Sequence, residues 1–186
     1  MRHLYLVFIT QLLVFNCSTS QNNESSNFGI LNPDAPKETI QYGQLIGEWD
    51  IIFYGRVNDS TWAESKANWI FKYILDGYAV QDYWTNFSDK EKFPQSKDLL
   101  GTNVRIYNPK LKEWQCVWIE NGTNSIDGIW KSYKNEKDHI VLKDNNNSWV
   151  ITFYNITSES FDWKWDFIQK DGSTQTNFKI KATKVN

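Results

Sequence analysis

The sequence predicts an all-β protein, an antiparallel up-and-down barrel of about ten strands with one short helix in front of it. Three observations carry this expectation. Phe161-Asp162-Trp163-Lys164-Trp165-Asp166-Phe167 alternates large apolar and charged residues without an error, the period of a strand with one face in a core. Ten segments of strand character crowd into residues 47–186. Turn signals separate them at spacings that leave no room for crossover helices, so neighbouring strands must be antiparallel hairpins.

Taken in order, the chain begins with Arg2 and His3 before an apolar run, Leu4 to Phe15, broken only by Thr10 and Gln11. That pattern fits a secretory signal peptide over residues 1–17, and the run is too short for a spanning helix, which needs roughly 20 apolar residues. Two processing routes are open. Cleavage can follow Ser18-Thr19-Ser20, or it can precede Cys17 and leave that cysteine for lipidation. Residues 18–37 are polar, hold Pro33 and Pro36, and read as a flexible linker. About 20 such residues would give an r.m.s. reach of roughly 25 Å from a membrane surface. The expected location is therefore the cell envelope, as a periplasmic protein or an outer-membrane lipoprotein, with secretion as the alternative. The barrel domain is expected over 38–186.

Glu38 to Leu45 is the expected helix. The strand candidates are Glu48 to Tyr54, Thr61 to Tyr73, Tyr78 to Asn86, Thr102 to Tyr107, Trp114 to Glu120, Asp127 to Tyr133, Asp138 to Lys143, Trp149 to Tyr154, Phe161 to Phe167 and Gln175 to Val185. Turns are expected at Asp76-Gly77, Asn108-Pro109, Asn121-Gly122, Asn145 to Asn147 and Asp171-Gly172. Ten linked strands either close on themselves or pack as two sheets, because an open sheet would leave long edges. Closure is the preferred reading and a sandwich the alternative. A ten-strand barrel encloses more volume than small side chains fill, so a cavity is expected.

Composition narrows the function. The 186 residues carry a formal charge of -2, which gives no electrostatic footprint for a nucleic-acid backbone. The two cysteines, Cys17 and Cys116, cannot build a disulfide framework or a structural zinc site. Cys116 reads as a small buried hydrophobe, since no histidine lies near it in sequence. His139, in Lys137-Asp138-His139-Ile140, reads as a surface or rim histidine. Asp and Glu are scattered, no phosphate loop or nucleophile elbow is present, and no metal or cofactor is expected. Seven Asn-x-Ser/Thr sequons, at Asn16, Asn23, Asn58, Asn86, Asn121, Asn146 and Asn155, are read as a product of Asn-rich composition. The unusual feature is aromatic: 10 Trp, 9 Tyr and 11 Phe. Indole and phenol groups need partners when buried, which suits a cavity that takes an amphipathic molecule.

Leu45-Ile46-Gly47-Glu48-Trp49 resembles the Gly-x-Trp signature of the calycin group, which includes lipocalins and fatty-acid-binding proteins. The blocks 69–84, 101–109 and 114–120, in that order, resemble a bacterial family of lipocalin-like domains with no agreed activity. The resemblance spans roughly residues 40–186. It implies a barrel with a cavity and makes Gly47 and Trp49 a structural plug, with Trp49 beneath a basic residue of the last strand: Lys179, Lys181 or Lys184.

Two functions follow from different classes. The first is an exported barrel that binds a small apolar or amphipathic ligand, with Trp84, Arg105, Trp114, Trp118, Glu120, Trp163 and Trp165 as the candidate contacts. Arg105, if it faces inward, needs a carboxylate such as Asp82 or Glu120, or an anionic ligand head group. If it faces outward, all three belong to an ordinary wet outer face. The second is a barrel enzyme, an isomerase, cyclase or hydrolase, with Asp82 or Glu120 as acid or base.

Overall fold

The computed structural model describes residues 28–88 and 97–185. The signal-peptide residues, Cys17 and the first part of the expected linker lie outside the described residues. Eleven strands are present among them: β1 Gly47–Arg56, β2 Trp62–Ile74, β3 Ala79–Asn86, β4 Leu99–Asn108, β5 Glu113–Glu120, β6 Ser125–Ile126, β7 Trp130–Lys134, β8 Ile140–Lys143, β9 Trp149–Tyr154, β10 Ser160–Ile168 and β11 Thr174–Lys184. Each is antiparallel to its neighbours, in the order β4-β3-β2-β1-β11-β10-β9-β8-β7-β5-β6. A further pairing, β4 to β5, closes the ring through Gly101↔Glu120 to Asn108↔Glu113. Ten strands thus form a closed up-and-down barrel, and the two-residue β6 hangs on β5 at Ile119 and Glu120. Closure removes the sandwich alternative.

The strands lie where the period-two pattern put them, with shifted ends. β4 runs three residues further at its start than Thr102, because Leu99 to Gly101 pair with Trp84 to Asn86 and with Glu120. The segment begun at Asp127 pairs in this strand only from Trp130, since Ser125 and Ile126 make the separate β6. The helix is shorter than Glu38 to Leu45. A 3-10 turn over Lys37–Thr39 leads into α1, Ile40–Gly43, and Leu45 and Ile46 bond back to Tyr42 and Gly43.

The expected turns form by side-chain chemistry. Leu75, Asp76 and Gly77 take positive φ between β2 and β3. Asn108 Oδ1 accepts from the backbone of Lys110 and Leu111, Asp144 from Ser148, and Asp171 from Ser173. The end of the segment read as linker lies along the β2–β3 hairpin: Tyr73 N donates to Phe28 O at 2.8 Å, and Asn32 Nδ2 to Asp76 Oδ2 at 2.9 Å.

One end of the barrel is closed. α1 and the turn after it bury Tyr42 and Leu45 completely against Trp49, Phe71, Trp114, Phe153 and Phe161. Trp49 Nε1 donates to Leu45 O at 2.7 Å, and the Lys184 ammonium lies 4.3 Å from the Trp49 ring while donating to Ile46 O. Of the three lysines considered for this contact, Lys184 makes it. Gly47 suits this position, chiefly through its backbone conformation. Its φ is +129°, and a Cβ would collide with the Lys184 side chain.

Candidate functional site

Nine of the ten tryptophans pack in or against the barrel core: Trp49, Trp69, Trp84, Trp114 and Trp163 are buried, and Trp118, Trp130, Trp149 and Trp165 are half-buried. The register explains this, because residues paired across an antiparallel ladder share a face. One such row runs Trp49↔Trp69↔Trp84↔Gly101↔Glu120, and a parallel row runs Phe71↔Asp82↔Asn103↔Trp118. Trp62 is the exception. It lies on the outer face between Arg56, at 4.7 Å, and Lys179, at 4.3 Å from the ring centroid.

Burial falls off along the barrel axis. Beneath α1 the rings are fully enclosed. At the opposite end an arc of half-buried aromatics runs around the mouth: Phe53 meets Phe178 at 5.6 Å, Phe178 meets Trp165 at 5.5 Å, Trp165 meets Trp149 at 5.7 Å, and Trp149 meets Trp130 at 4.9 Å. Trp118 enters this end from β5. Its indole lies where a Cβ on Gly101 would be, so glycine at 101 makes the room. Trp118 Nε1 donates to Glu120 Oε2 at 3.2 Å, and Thr123 Oγ1 donates to Glu120 Oε1 at 3.1 Å.

Between mouth and closed end sits an internal polar cluster. Asp82 and Arg105 face inward, 0% and 1% exposed, with Arg105 Nη1 2.6 Å from Asp82 Oδ2. The contact is a buried ion pair. Asn103 donates to Asp82 through its backbone N, at 2.9 Å, and through Nδ2, at 3.1 Å to Oδ2. The guanidinium stacks on Tyr42, 5.0 Å, and Phe71, 5.6 Å. Tyr42 and Ser132 share a hydroxyl bond of 2.7 Å. Burial disfavours the Arg105 cation, but the charge of Asp82, ahead of Tyr42 and Cys116, outweighs it and holds the pKa above its ordinary value. Burial likewise raises Tyr42 well above the usual phenol range and pushes the Cys116 thiol up to about 11.

Several polar atoms of this interior have no partner among the described residues: Trp69 Nε1, Trp165 Nε1, Arg105 Nε and Asn103 Oδ1. Buried polar groups are nearly always satisfied in native proteins, which sets these atoms apart from the rest of the interior.

The candidate contacts divide accordingly. Trp84, Trp163, Trp165, Trp118 and Glu120 come together on the side of the mouth, and Arg105 lies deeper, against Asp82. Trp114 is placed elsewhere. It lies under α1, 4.7 Å from the Tyr42 ring, with Nε1 donating to Gln41 Oε1 at 3.0 Å. Residues that sequence reading did not single out for the interior include Asn103, Trp69, Phe53, Phe178, Trp130 and Trp149. His139 lies on the outside, its ring 5.9 Å from Tyr154, in a groove lined also by Tyr133, Lys137 and Lys164. Among the described residues, no group of three His, Cys, Asp or Glu could hold a metal ion, and no helix is long and apolar enough to cross a membrane.

No protein-family model matches the sequence, and comparison with curated proteins gives no match. Solved structures do match. An S-type phycobiliprotein lyase, CPES, from Guillardia theta superposes with a TM-score of 0.56 at 10% identity, covering 81% of this chain and 98% of that one. Rv2717c from M. tuberculosis gives 0.54 at 10% identity, covering 84% and 100%. At this identity the likeness is one of fold, and the fold is a lipocalin-like barrel.

Proposed function

We propose that this chain is an exported binding module whose barrel interior takes a small apolar or amphipathic molecule through the end opposite α1. The observation that carries the reading is the gradient of burial. A barrel built only to pack would enclose its aromatics at both ends, whereas here Phe53, Trp118, Trp130, Trp149, Trp165 and Phe178 remain half-open around one mouth. Clustered apolar surface left in contact with water is a usual mark of a binding site. Export rests on Arg2, His3 and the apolar run that follows them.

The geometry favours binding over acid-base chemistry. Asp82 does face the interior, yet Asn103 and Arg105 occupy its oxygens, and Glu120 holds Trp118 and Thr123. That one neighbour of similar fold is a lyase shows only that such a barrel can host other uses. Titration of the full chain with a broad panel of lipids and pigments, followed by tryptophan emission, is expected to give saturable quenching or a spectral shift with at least one class. No saturable response across the panel would overturn the proposal.

A further inference from the structure

Resting on that reading, we infer that the ligand is electrically neutral and largely apolar, and that it carries hydrogen-bond acceptors such as ester, amide, ketone or ether oxygens rather than a free carboxylate.

Two observations support it. The first is charge. Arg105 is the buried cation of the interior, and Asp82 already neutralises it at 2.6 Å, with Asn103 fixing the carboxylate from the other side. Nearer the mouth, among the described residues of the inner strand faces, the ionisable side chain is Glu120, tethered by Trp118 and Thr123. A carboxylate ligand would enter past one negative charge and reach a cation that has a partner, which leaves its own charge buried and uncompensated.

The second is the balance of orphaned hydrogen-bonding groups. Trp69 Nε1, Trp165 Nε1 and Arg105 Nε are buried donors without an acceptor, against one unpartnered group that only accepts, Asn103 Oδ1; the Thr39 hydroxyl, also unpartnered, can do either. The Asn103 amide orientation is set by its Nδ2 facing Asp82. Trp69 is 4% exposed and is ringed by Phe71, Trp84, Phe153, Phe161 and Trp163, so its N–H sits deep among aromatic rings. Donors in excess of acceptors ask for a ligand with the reverse balance. Flat or chain-like bodies fit the surrounding rings by stacking and edge contact.

Three probes of one shape separate these terms: pyrenebutyrate, its methyl ester, and the hydrocarbon hexylpyrene. Each is titrated into the full chain at neutral pH, with energy transfer from tryptophan as the readout. The ester is expected to bind about tenfold or more tightly than the acid. Trp165→Phe keeps an aromatic ring but loses the N–H. It should weaken the ester by about fivefold and leave hexylpyrene nearly unchanged, and Trp69→Phe should repeat that selective loss. Glu120→Gln should narrow the gap between acid and ester. Near-ultraviolet circular dichroism checks that each variant is folded.

An acid that binds as well as the ester overturns neutrality. Losses by Trp165→Phe and Trp69→Phe that are equal for ester and hydrocarbon overturn the acceptor requirement. Absence of saturable binding by all three probes overturns the underlying binding reading instead, so the two failures can be told apart.

Discussion

The Asp82–Arg105 pair makes the sharpest demand on experiment, because both partners are sealed inside the barrel. Asp82→Asn removes the charge that Arg105 faces and leaves a guanidinium, 1% exposed, between the rings of Tyr42 and Phe71. Arg105→Met keeps the length of the stem and leaves the Asp82 carboxylate with only its Asn103 bonds. Stranding one member of a buried pair costs about 3 to 5 kcal/mol, so each single variant should lose that much stability. The double variant strands neither charge. Its introduced thioether can pack against Phe71 and its introduced carboxamide can still bond Asn103, so the double variant should be more stable than either single one and lie within about 2 kcal/mol of the parent. Urea unfolding of the full chain, followed by tryptophan emission and by circular dichroism, gives the four free energies of a double-mutant cycle. The coupling should be at least about 3 kcal/mol. Single variants that each lose less than about 1 kcal/mol, or a double variant whose loss equals their sum, would refute the claim that these charges depend on one another in a dry interior.

Further outcomes follow from neighbouring features. The Cys116 thiol, raised by burial to about 11 from an ordinary 9.0, stays protonated in the folded chain while the unfolded chain ionises. Its contribution to stability is therefore intact below pH 9.0 and is lost as pH rises toward about 11, a total of about 3 kcal/mol. Cys116→Ala should flatten that part of the profile, and in a Cys17→Ser background the remaining thiol should resist maleimide at pH 8; rapid labelling of that folded variant would contradict the burial of Cys116. Gly101→Val drives a side chain into the space of the Trp118 ring and should cost about 1 to 3 kcal/mol, read by urea unfolding, with a shift in tryptophan emission. Gly47→Ala places a side chain at a positive φ and should lose about 2 kcal/mol, measured the same way; a neutral effect would contradict the strain assigned to that backbone position.

Much of this molecule is legible along the chain because a strand writes its two faces as odd and even positions. Phe161 to Phe167 is the clearest case, and Phe161 and Trp163 are indeed buried against Trp69. The orientation of Asp82, Arg105 and Glu120 is less legible, since a charge inside a strand fits a wet outer face as well as a paired inner one. What decides between them is register across three strands: Val80↔Arg105↔Cys116 and Phe71↔Asp82↔Asn103 put these residues in line with apolar core positions. Alternation within one strand does not report that alignment. Trp114 illustrates the same limit. Its face can be read, but its height along the barrel, under α1 rather than near the mouth, depends on how β5 pairs with β4 and β7. Trp62 and Trp69 lie in one strand, and only the second points inward, which an odd separation of seven residues already encodes.

The packing of the indoles sets how this protein will answer light. Ring centroids 5.1 Å apart for Trp69 and Trp84, 4.9 Å for Trp130 and Trp149, and 6.3 Å for Trp163 and Trp165 allow excitation to migrate from one ring to the next before it is emitted. The interior tryptophans therefore emit as a pool, and a quencher that touches one of them dims several. Trp62, held outside by Arg56 and Lys179, is set apart on the far side of the wall. For a quencher that acts by contact its emission is the internal reference: a molecule that enters the barrel dims the pool and spares Trp62, whereas one that only coats the surface reaches Trp62 directly.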